Sequence, residues 1–157
     1  MKPIDAFFQE YGESHQNKTN KLIHWLCVPL IFWSIMGFLS LIPSGLICIQ
    51  NYFCFDYALG IAFILVSLFY LRLSIKIGII MMGIMLVSMA INYYLNLTLG
   101  SKSWMLYLGI FIITWIFQFI GHKIEGKKPS FLKDIQFLLI GPIWLIHFIL
   151  KKLNISY

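Results

Sequence analysis

The stretch WIFQFIGHKIEGKKP, residues 115–129, points both to the fold class and to a candidate site. It begins as an apolar segment typical of a membrane span and ends as a basic loop. Gln118, His122 and Glu125 lie at the transition, at spacings of four and three residues, so they share one helix face with Trp115. A carboxylate and an imidazole at the mouth of an apolar segment are costly to bury unless they are paired, bind a metal or serve a function. The stretch therefore predicts a functional site at one end of a transmembrane helix.

The composition of the whole chain is that of a membrane protein. Of its 157 residues, 60% are hydrophobic and 11% are charged, and the mean hydropathy is +0.83. Ordinary soluble domains are only about 45–50% apolar. The net charge of +6 is spread over short loops and does not form one patch, so we expect no nucleic-acid partner. We interpret residues 1–157 as a single membrane-embedded domain.

Apolar runs and turn signals divide the chain into an amphipathic helix, four spans and a shorter apolar segment. Thirteen residues cannot cross a bilayer, so the first helix is expected to lie on the membrane or to cover the end of the bundle. The Gly141-Pro142 pair predicts a break in the last segment, either re-entrant or a fifth span. The fold class is thus an all-α membrane protein built on four transmembrane helices. The predicted segments are 3–15, 22–42, 52–71, 77–99, 103–121 and 135–150.

The positive residues and the histidines point to the same side of the membrane. Lysine and arginine residues precede the first span, follow the second and cluster after the fourth, whereas the loop after the first span has none. The positive-inside rule therefore places the N-terminus in the cytosol, with the protein integral to a bacterial inner membrane or the endoplasmic reticulum. His15, His24 and His122 then meet at the cytosolic face. His147 can approach them only if the last segment does not cross.

Other polar and sulfur-containing side chains have structural interpretations. Cys27, Cys48 and Cys54 are odd in number and lie in or beside apolar segments, which implies no disulfide framework. We expect each to pack as a small apolar side chain. In the third span, Ser88, Asn92 and Asn96 recur every four residues. Their spacing favours hydrogen bonds between helices and not a binding site.

The histidines can be interpreted in two ways. Three neutral imidazoles can coordinate iron, zinc or copper, and two of them with Glu125 would form a facial triad with open positions. We assign Asn20 and Gln118 to cofactor binding as well, as donors or acceptors of hydrogen bonds that would fix the orientation of the rings. Alternatively, each histidine is an interfacial side chain with its polar tip among the lipid headgroups. The residues alone leave both interpretations open.

Two motifs resemble a known family. The sequence is similar, over nearly its whole length, to the small membrane proteins that include the fungal 2-hydroxy fatty acid dioxygenase of the endoplasmic reticulum. The motifs are Tyr11-x3-His15-x4-Asn20-x3-His24-x4-Pro29 and Trp115-x2-Gln118-x2-Gly121-His122, the second followed by Glu125 and Pro129.

The resemblance implies an Fe(II)-dependent enzyme of fatty acid α-oxidation. Such an enzyme uses dioxygen to remove one carbon from a 2-hydroxy fatty acid, without 2-oxoglutarate as a co-substrate. By motif position, His15, His24 and His122 are iron ligands or their immediate partners. The acid departs from the family pattern, because Glu125 follows His122 by three residues and not by four. We nevertheless assign Glu125 to the catalytic site. The lipid substrate and dioxygen are the expected partners.

Two alternatives come from other classes of protein. The first is a haem-binding electron carrier in which two of the histidines are axial ligands inside the bundle. The second is a non-catalytic lipid-binding membrane protein whose interfacial histidines hold no metal. Spectroscopy and metal analysis separate both from an iron oxygenase.

Overall fold

The computed structural model describes residues 3–49, 53–126 and 131–157. The protein is about 85% helical, which confirms the helical part of the predicted fold class. A two-stranded antiparallel hairpin interrupts the helices. The elements are α1 (Pro3–Glu13), α2 (Lys18–Leu39), β1 (Leu46–Ile49), β2 (Phe53–Asp56), α3 (Tyr57–Leu73), α4 (Ile75–Leu99), a 3-10 turn (Gly100–Lys102), α5 (Ser103–Glu125) and α6 (Phe131–Lys152).

Two helical segments are long and apolar enough to cross a membrane. One is Lys18–Leu39, and the other is the run Ile75–Glu125, which comprises α4, the 3-10 turn and α5. Helix α3 is also apolar, but its 17 residues make it shorter. These statements rest on length and composition within the described residues, so the bundle of four transmembrane helices stays a prediction.

The described chain divides into two compact units. The first unit contains residues 1–32 and 112–157, and the second contains residues 33–111. Helices α2 and α5 therefore contribute residues to both units. The candidate site lies entirely in the first unit.

Helix α1 has the amphipathic pattern that the sequence predicts. Ile4, Phe8 and Tyr11 are buried, and His15 continues their stripe just beyond the helix. Buried residues at spacings of three and four place one face of α1 against the protein. The helix ends at Glu13, two residues before the predicted end, so His15 lies in the turn that leads to α2.

Helix α6 packs against α1 and runs without interruption through Gly141 and Pro142. The predicted break at this pair is therefore wrong. A proline removes one backbone hydrogen bond but does not require the helix to end when packing holds both sides of it. Here Ile140, Ile143 and Trp144 are all buried around the proline.

In the second unit, α3 and α4 form a helical hairpin. A polar network joins Ser40, the residue that follows α2, to residues of α4 and α5. Tyr107 donates from its hydroxyl to Asn96 Oδ1 at 2.8 Å, and Asn96 Nδ2 donates to Ser40 Oγ at 2.9 Å. The Ser40 hydroxyl in turn donates to the Gly37 carbonyl. We call these three side chains the Ser40–Asn96–Tyr107 network. It confirms the predicted interhelical role of Asn96.

Close packing against Gly37 holds the tyrosine of this network in place. A Cβ atom at Gly37 would meet the Tyr107 ring at 2.5–2.7 Å. Real side chains do not approach this closely, so the ring occupies the space that a side chain at residue 37 would need.

The β-hairpin corrects two further predictions. Strand β2 occupies the start of the predicted second span, so α3 begins only at Tyr57. Cys48 and Cys54 lie directly opposite each other in the hairpin register and form a disulfide. The expectation that no cysteine is bridged is therefore wrong, because strand pairing brings together two residues whose position in apolar sequence suggested core packing. Cys27 is free and buried as predicted.

Candidate metal centre

Three histidines from separate parts of the chain meet in the first unit. His15 comes from the turn after α1, His24 from the beginning of α2, and His122 from the end of α5. One ring nitrogen from each lies within 4.8 Å of the others. The exposed fractions of His15 and His24 are 2% and 1%, and His122 is half-buried. We call these three residues the histidine cluster, and their convergence agrees with the sequence prediction.

Main-chain carbonyl groups orient two of the rings. His15 Nδ1 lies 2.5 Å from the carbonyl oxygen of Tyr11, and His24 Nδ1 lies 2.9 Å from that of Asn20. A carbonyl oxygen only accepts hydrogen bonds, so both rings donate from a protonated Nδ1. In a neutral imidazole this leaves the Nε2 lone pair available. Metal-binding histidines are commonly held in the same way.

The available nitrogen of His15 is buried. Its Nε2 atom has no hydrogen-bond partner among the residues that the structure describes. Burial also lowers the pKa of His15 to about 4; the nearby His122 adds to this effect, and the hydrogen bond to Tyr11 opposes it. The ring is therefore neutral at pH 7, which is the form that binds a metal.

The donor set and the spacing of the cluster fit a single metal ion. Two metal–nitrogen bonds of about 2.1 Å reach across at most about 4.2 Å. Three ligands spaced evenly around one ion at this bond length lie about 3.6 Å apart or less. The ring nitrogens lie within 4.8 Å of one another, so an approach of about 1 Å lets them share one ion. Neutral imidazoles suit iron, zinc and copper alike, so the chemistry of the ligands does not by itself select the metal.

Glu125 lies beside the cluster but directs its carboxylate at the turn between α1 and α2. Its Oε1 atom accepts from the Gln16 N–H at 2.7 Å. Its Oε2 atom accepts from the Asn17 N–H at 2.9 Å and from Asn20 Nδ2 at 3.0 Å. The acid that the sequence assigned to the catalytic site is thus bonded to the segment that follows His15.

Asn20 is completely buried beneath this turn. Its amide nitrogen also donates to the Ser14 carbonyl at 3.3 Å. Its Oδ1 atom faces Gly121, where an added Cβ atom would collide with it. The glycine before His122 therefore permits the close approach of α5 to Asn20. In the motif pair Gly121-His122, the glycine thus has a steric role beside Asn20, and the histidine is a potential metal ligand.

An aromatic wall covers one side of the cluster. The ring of Tyr11 stacks on His15 with centroids 4.1 Å apart and nearly parallel planes. Trp144 from α6 lies 5.0 Å from Tyr11 and 5.5 Å from His15 between ring centroids. The first sequence motif contains Tyr11 but does not indicate its contact with His15. The sequence did not identify Trp144, because the predicted break at Gly141-Pro142 left the helix face of this residue undefined.

Gln118 is buried on α5, one turn before His122. That position suits the predicted contact with the cofactor, and the role itself stays a prediction.

A cleft of about 470 Å³ opens beside the cluster. It lies between α1, α6 and the beginning of α2, and its volume is within the range of small-molecule sites, about 300–1,000 Å³. His15, Lys21, Trp144 and Phe148 are among its lining residues. His147 also lines it, but its Nδ1 atom shares a hydrogen bond with the Tyr157 hydroxyl. The fourth histidine therefore shares the cleft without joining the cluster.

The fold and the site together define a class: an α-helical protein with a cluster of three histidines that could hold a metal ion. Comparison with known proteins then places the chain more closely. It belongs to the family described as 2-hydroxy-palmitic acid dioxygenase Mpo1-like, which matches residues 1–153. The resemblance inferred from the two motifs is confirmed.

One relative is a named enzyme of yeast. The chain is 30% identical over 154 residues to the 2-hydroxy-palmitic acid dioxygenase MPO1 of Saccharomyces cerevisiae. The alignment covers 95% of this chain and 79% of the yeast protein. No solved structure matches the chain.

Proposed function

We propose that this protein is an Fe(II)-dependent dioxygenase that removes one carbon from 2-hydroxy fatty acids. The observation that carries the proposal is the histidine cluster. Two of its rings are held through Nδ1 by main-chain carbonyls, and a buried Nε2 atom of one has no hydrogen-bond partner among the described residues. Burying an unpaired polar atom costs roughly 1–3 kcal/mol. A bound ion would remove this cost.

Family membership supports the substrate class. The yeast relative is named for 2-hydroxy-palmitic acid, a fatty acid with a hydroxyl group beside its carboxylate. A 2-hydroxy acid and one dioxygen molecule balance to an acid one carbon shorter, carbon dioxide and water. The four electrons released by the acid reduce the oxygen completely, so no 2-oxoglutarate is needed. Iron bound by the histidine cluster would supply the redox chemistry that links the two reactants.

The cleft beside the cluster offers a path for such a substrate. Phe8, Trp144 and Phe148 give it an apolar wall. Its charged lining residues are Lys21, which lies near His15, and the carboxylates of Asp5 and Glu13. An acyl chain favours the aromatic side, and a carboxylate favours the lysine. The Tyr11 ring, stacked on His15, and the tilted Trp144 ring also keep water from that side of His15. This division suits a molecule with one polar end and one apolar end.

We also propose that the protein is integral to a membrane, with its N-terminus and the histidine cluster on the cytosolic side. Lys18 and Lys21 lie in the first turn of α2, whereas the hairpin after α2 carries the Cys48–Cys54 disulfide. Lysines favour the cytosolic side, and disulfides persist in oxidising compartments. After treatment of intact cells or vesicles with an impermeant reductant, an impermeant maleimide should label these two cysteines from the non-cytosolic side only. Labelling from the cytosolic side alone would refute this topology.

The arrangement of the rings favours one ion over a haem. Two axial imidazoles must stand on opposite faces of a porphyrin, whereas His15 and His24 contact each other edge to face with centroids 4.2 Å apart. His122 is also close to both, at 5.6 Å and 5.1 Å. Three rings converging on one point suit the coordination of a single ion.

Metal analysis of the detergent-purified protein tests the proposal. We expect about one iron per wild-type chain after anaerobic Fe(II) loading, measured by plasma mass spectrometry. His15→Ala, His24→Ala and His122→Ala should each lose it, because each removes one of three ligands. The loaded wild type should shorten a 2-hydroxy fatty acid by one carbon, detected by mass spectrometry of the product.

His147→Ala is the matched control, because this histidine lies in the same cleft but outside the cluster. It should keep the iron of the wild type. Equal iron content in all three cluster variants would refute the metal site, and a wild type that binds no metal would favour a non-catalytic lipid-binding protein. A Soret band in the wild type would favour the haem alternative.

A further inference from the structure

The carboxylate of Glu125 connects the element that carries one histidine to the segment that carries the other two. We propose that Glu125 is a positioning residue, which fixes the turn between α1 and α2 so that the three rings are arranged for the metal before it binds. In this role it does not ligate the metal. The inference rests on the proposed metal site but not on the identity of the substrate.

Three donors converge on this carboxylate. The main-chain N–H groups of Gln16 and Asn17 donate to separate oxygens, and Asn20 Nδ2 adds a third bond. Both N–H groups immediately precede α2, where backbone donors have no partner within the helix. Hydrogen bonds to an ionised acceptor are roughly twice as strong as those between neutral groups. Glu125 therefore holds the start of α2 from a different helix.

The segment that Glu125 binds, residues 16–20, is the one that positions His15 and His24. His15 directly precedes Gln16, the first residue that the carboxylate binds. Asn20, the last, supplies the main-chain carbonyl that orients His24. His122 lies one helical turn before Glu125 on α5. A single carboxylate thus connects the helix of the third ligand to the backbone around the other two.

The existing contacts of Glu125 distinguish this role from coordination. A carboxylate offers about four acceptor positions, and three are already used by the turn. The group of potential ligand atoms within 4.8 Å of one another contains the three histidines and, within the described residues, not Glu125. The backbone of the turn and Asn20 therefore orient this carboxylate, with about one acceptor position left over.

The consequence is a specific change in affinity. Without the three hydrogen bonds to Glu125, the turn must become ordered when the metal binds. Part of the binding free energy is then used to order the turn, which lowers the affinity for the metal. Residues that orient ligands without touching the metal typically change affinity about ten- to a hundred-fold. The set of ligands, in contrast, stays the same.

Cobalt titration of the detergent-purified metal-free protein separates affinity from coordination. Co(II) binding is followed by its ligand-field absorption, which reports the number and type of ligands. We expect Glu125→Gln to raise the Kd about ten-fold and Glu125→Ala to raise it up to about a hundred-fold. The glutamine keeps one acceptor oxygen, which explains the order. At saturating Co(II), both variants should give the wild-type spectrum.

Glu10→Gln is the matched control, since it makes the same chemical change at an exposed carboxylate of α1. It should bind Co(II) as the wild type does. A saturated Glu125→Gln spectrum with altered coordination would overturn the proposal, because Glu125 would then be a ligand. Unchanged affinity in both Glu125 variants would also overturn it. Loss of helical circular dichroism in Glu125→Gln would assign the residue to folding alone.

The same samples separate this inference from the proposed activity. A wild type that binds Co(II) with the expected Glu125 effects, but whose iron form does not convert 2-hydroxy fatty acids, would refute the dioxygenase and leave the positioning role intact. A wild type that binds no Co(II) would overturn the positioning role together with the metal site.

Discussion

The histidine cluster of the first unit and the Ser40–Asn96–Tyr107 network of the second are both buried polar groups in apolar surroundings, but they are completed differently. In the network, hydroxyl and amide groups satisfy one another at 2.8–2.9 Å. In the cluster, His15 and His24 use Nδ1 for their ring hydrogen bonds, and the buried Nε2 of His15 has no such partner among the described residues.

This difference separates a structural polar group from one that awaits a ligand. A buried network whose members satisfy each other needs nothing more and mainly connects helices. A buried nitrogen without a partner is a cost, and in the cluster this nitrogen lies beside two further imidazoles that can bind the same ligand. The two clusters therefore predict opposite responses to metal, to steric disturbance and to the loss of one hydrogen bond.

The largest expected difference is in the response to metal. At a free concentration one hundred times its Kd, Co(II) should stabilise the wild type by about 2.7 kcal/mol, and a chelator should reverse this. Thermal unfolding in detergent, followed by circular dichroism, measures the effect. His24→Ala should lose the stabilisation, while Asn96→Ala should keep it. An equal shift in both variants would contradict the comparison.

A steric disturbance should have a similar cost in both units but a different functional result. Gly121→Ala drives a methyl group into Asn20, and Gly37→Ala drives one into the Tyr107 ring. Each should destabilise the protein by about 1–3 kcal/mol, the usual cost of overpacking. Only Gly121→Ala should also weaken Co(II) binding, because Asn20 carries one of the contacts to Glu125.

Gly109→Ala provides the control for these glycine substitutions. It lies on the same helix as Gly121, and an added Cβ atom meets nothing within 4 Å. Its stability should stay within about 1 kcal/mol of the wild type, with unchanged affinity. Weaker Co(II) binding in Gly37→Ala than in Gly121→Ala would refute the assignment of the site to the first unit.

The smallest expected effect comes from removing one hydroxyl group from the network. Tyr107→Phe loses the hydrogen bond to Asn96, which should cost about 0.5–1.5 kcal/mol or near 0.6 kcal/mol within a bilayer. Metal content should not change. The free energy of unfolding from a denaturant titration, measured beside the iron content of the same sample, tests both statements.

The sequence predicted the convergence of the histidines better than it predicted the connections between elements. The spacing of Ile4, Phe8 and Tyr11 identified the buried face of α1, and the motif histidines converge as expected. These predictions succeed because helical periodicity and the cost of burying a polar group are local properties of the chain. The positive-inside rule predicted, without any contact information, that His122 lies on the same face of the membrane as His15 and His24.

The structural features that the sequence did not predict depend on packing between distant residues. The hairpin was missed because Cys48 and Cys54 are bridged only once the two strands pair in register. The helix through Pro142 was missed because its neighbours hold it. The bonds of Glu125 connect residues more than a hundred positions apart, so spacing within the second motif suggested only a ligand or a catalytic acid. Asn92 is a partial success, since it is buried but its side chain has no hydrogen-bond partner among the described residues.

The carbonyl groups that orient His15 and His24 belong to the main chain of Tyr11 and Asn20. Every amino acid supplies the same carbonyl, so no side-chain substitution at residues 11 or 20 deletes the acceptor itself. The hydrogen bonds that orient these two rings are therefore encoded in the path of the backbone. The side chains at these two positions act on the rings only indirectly, Asn20 through its bond to Glu125 and Tyr11 through its stacking on His15.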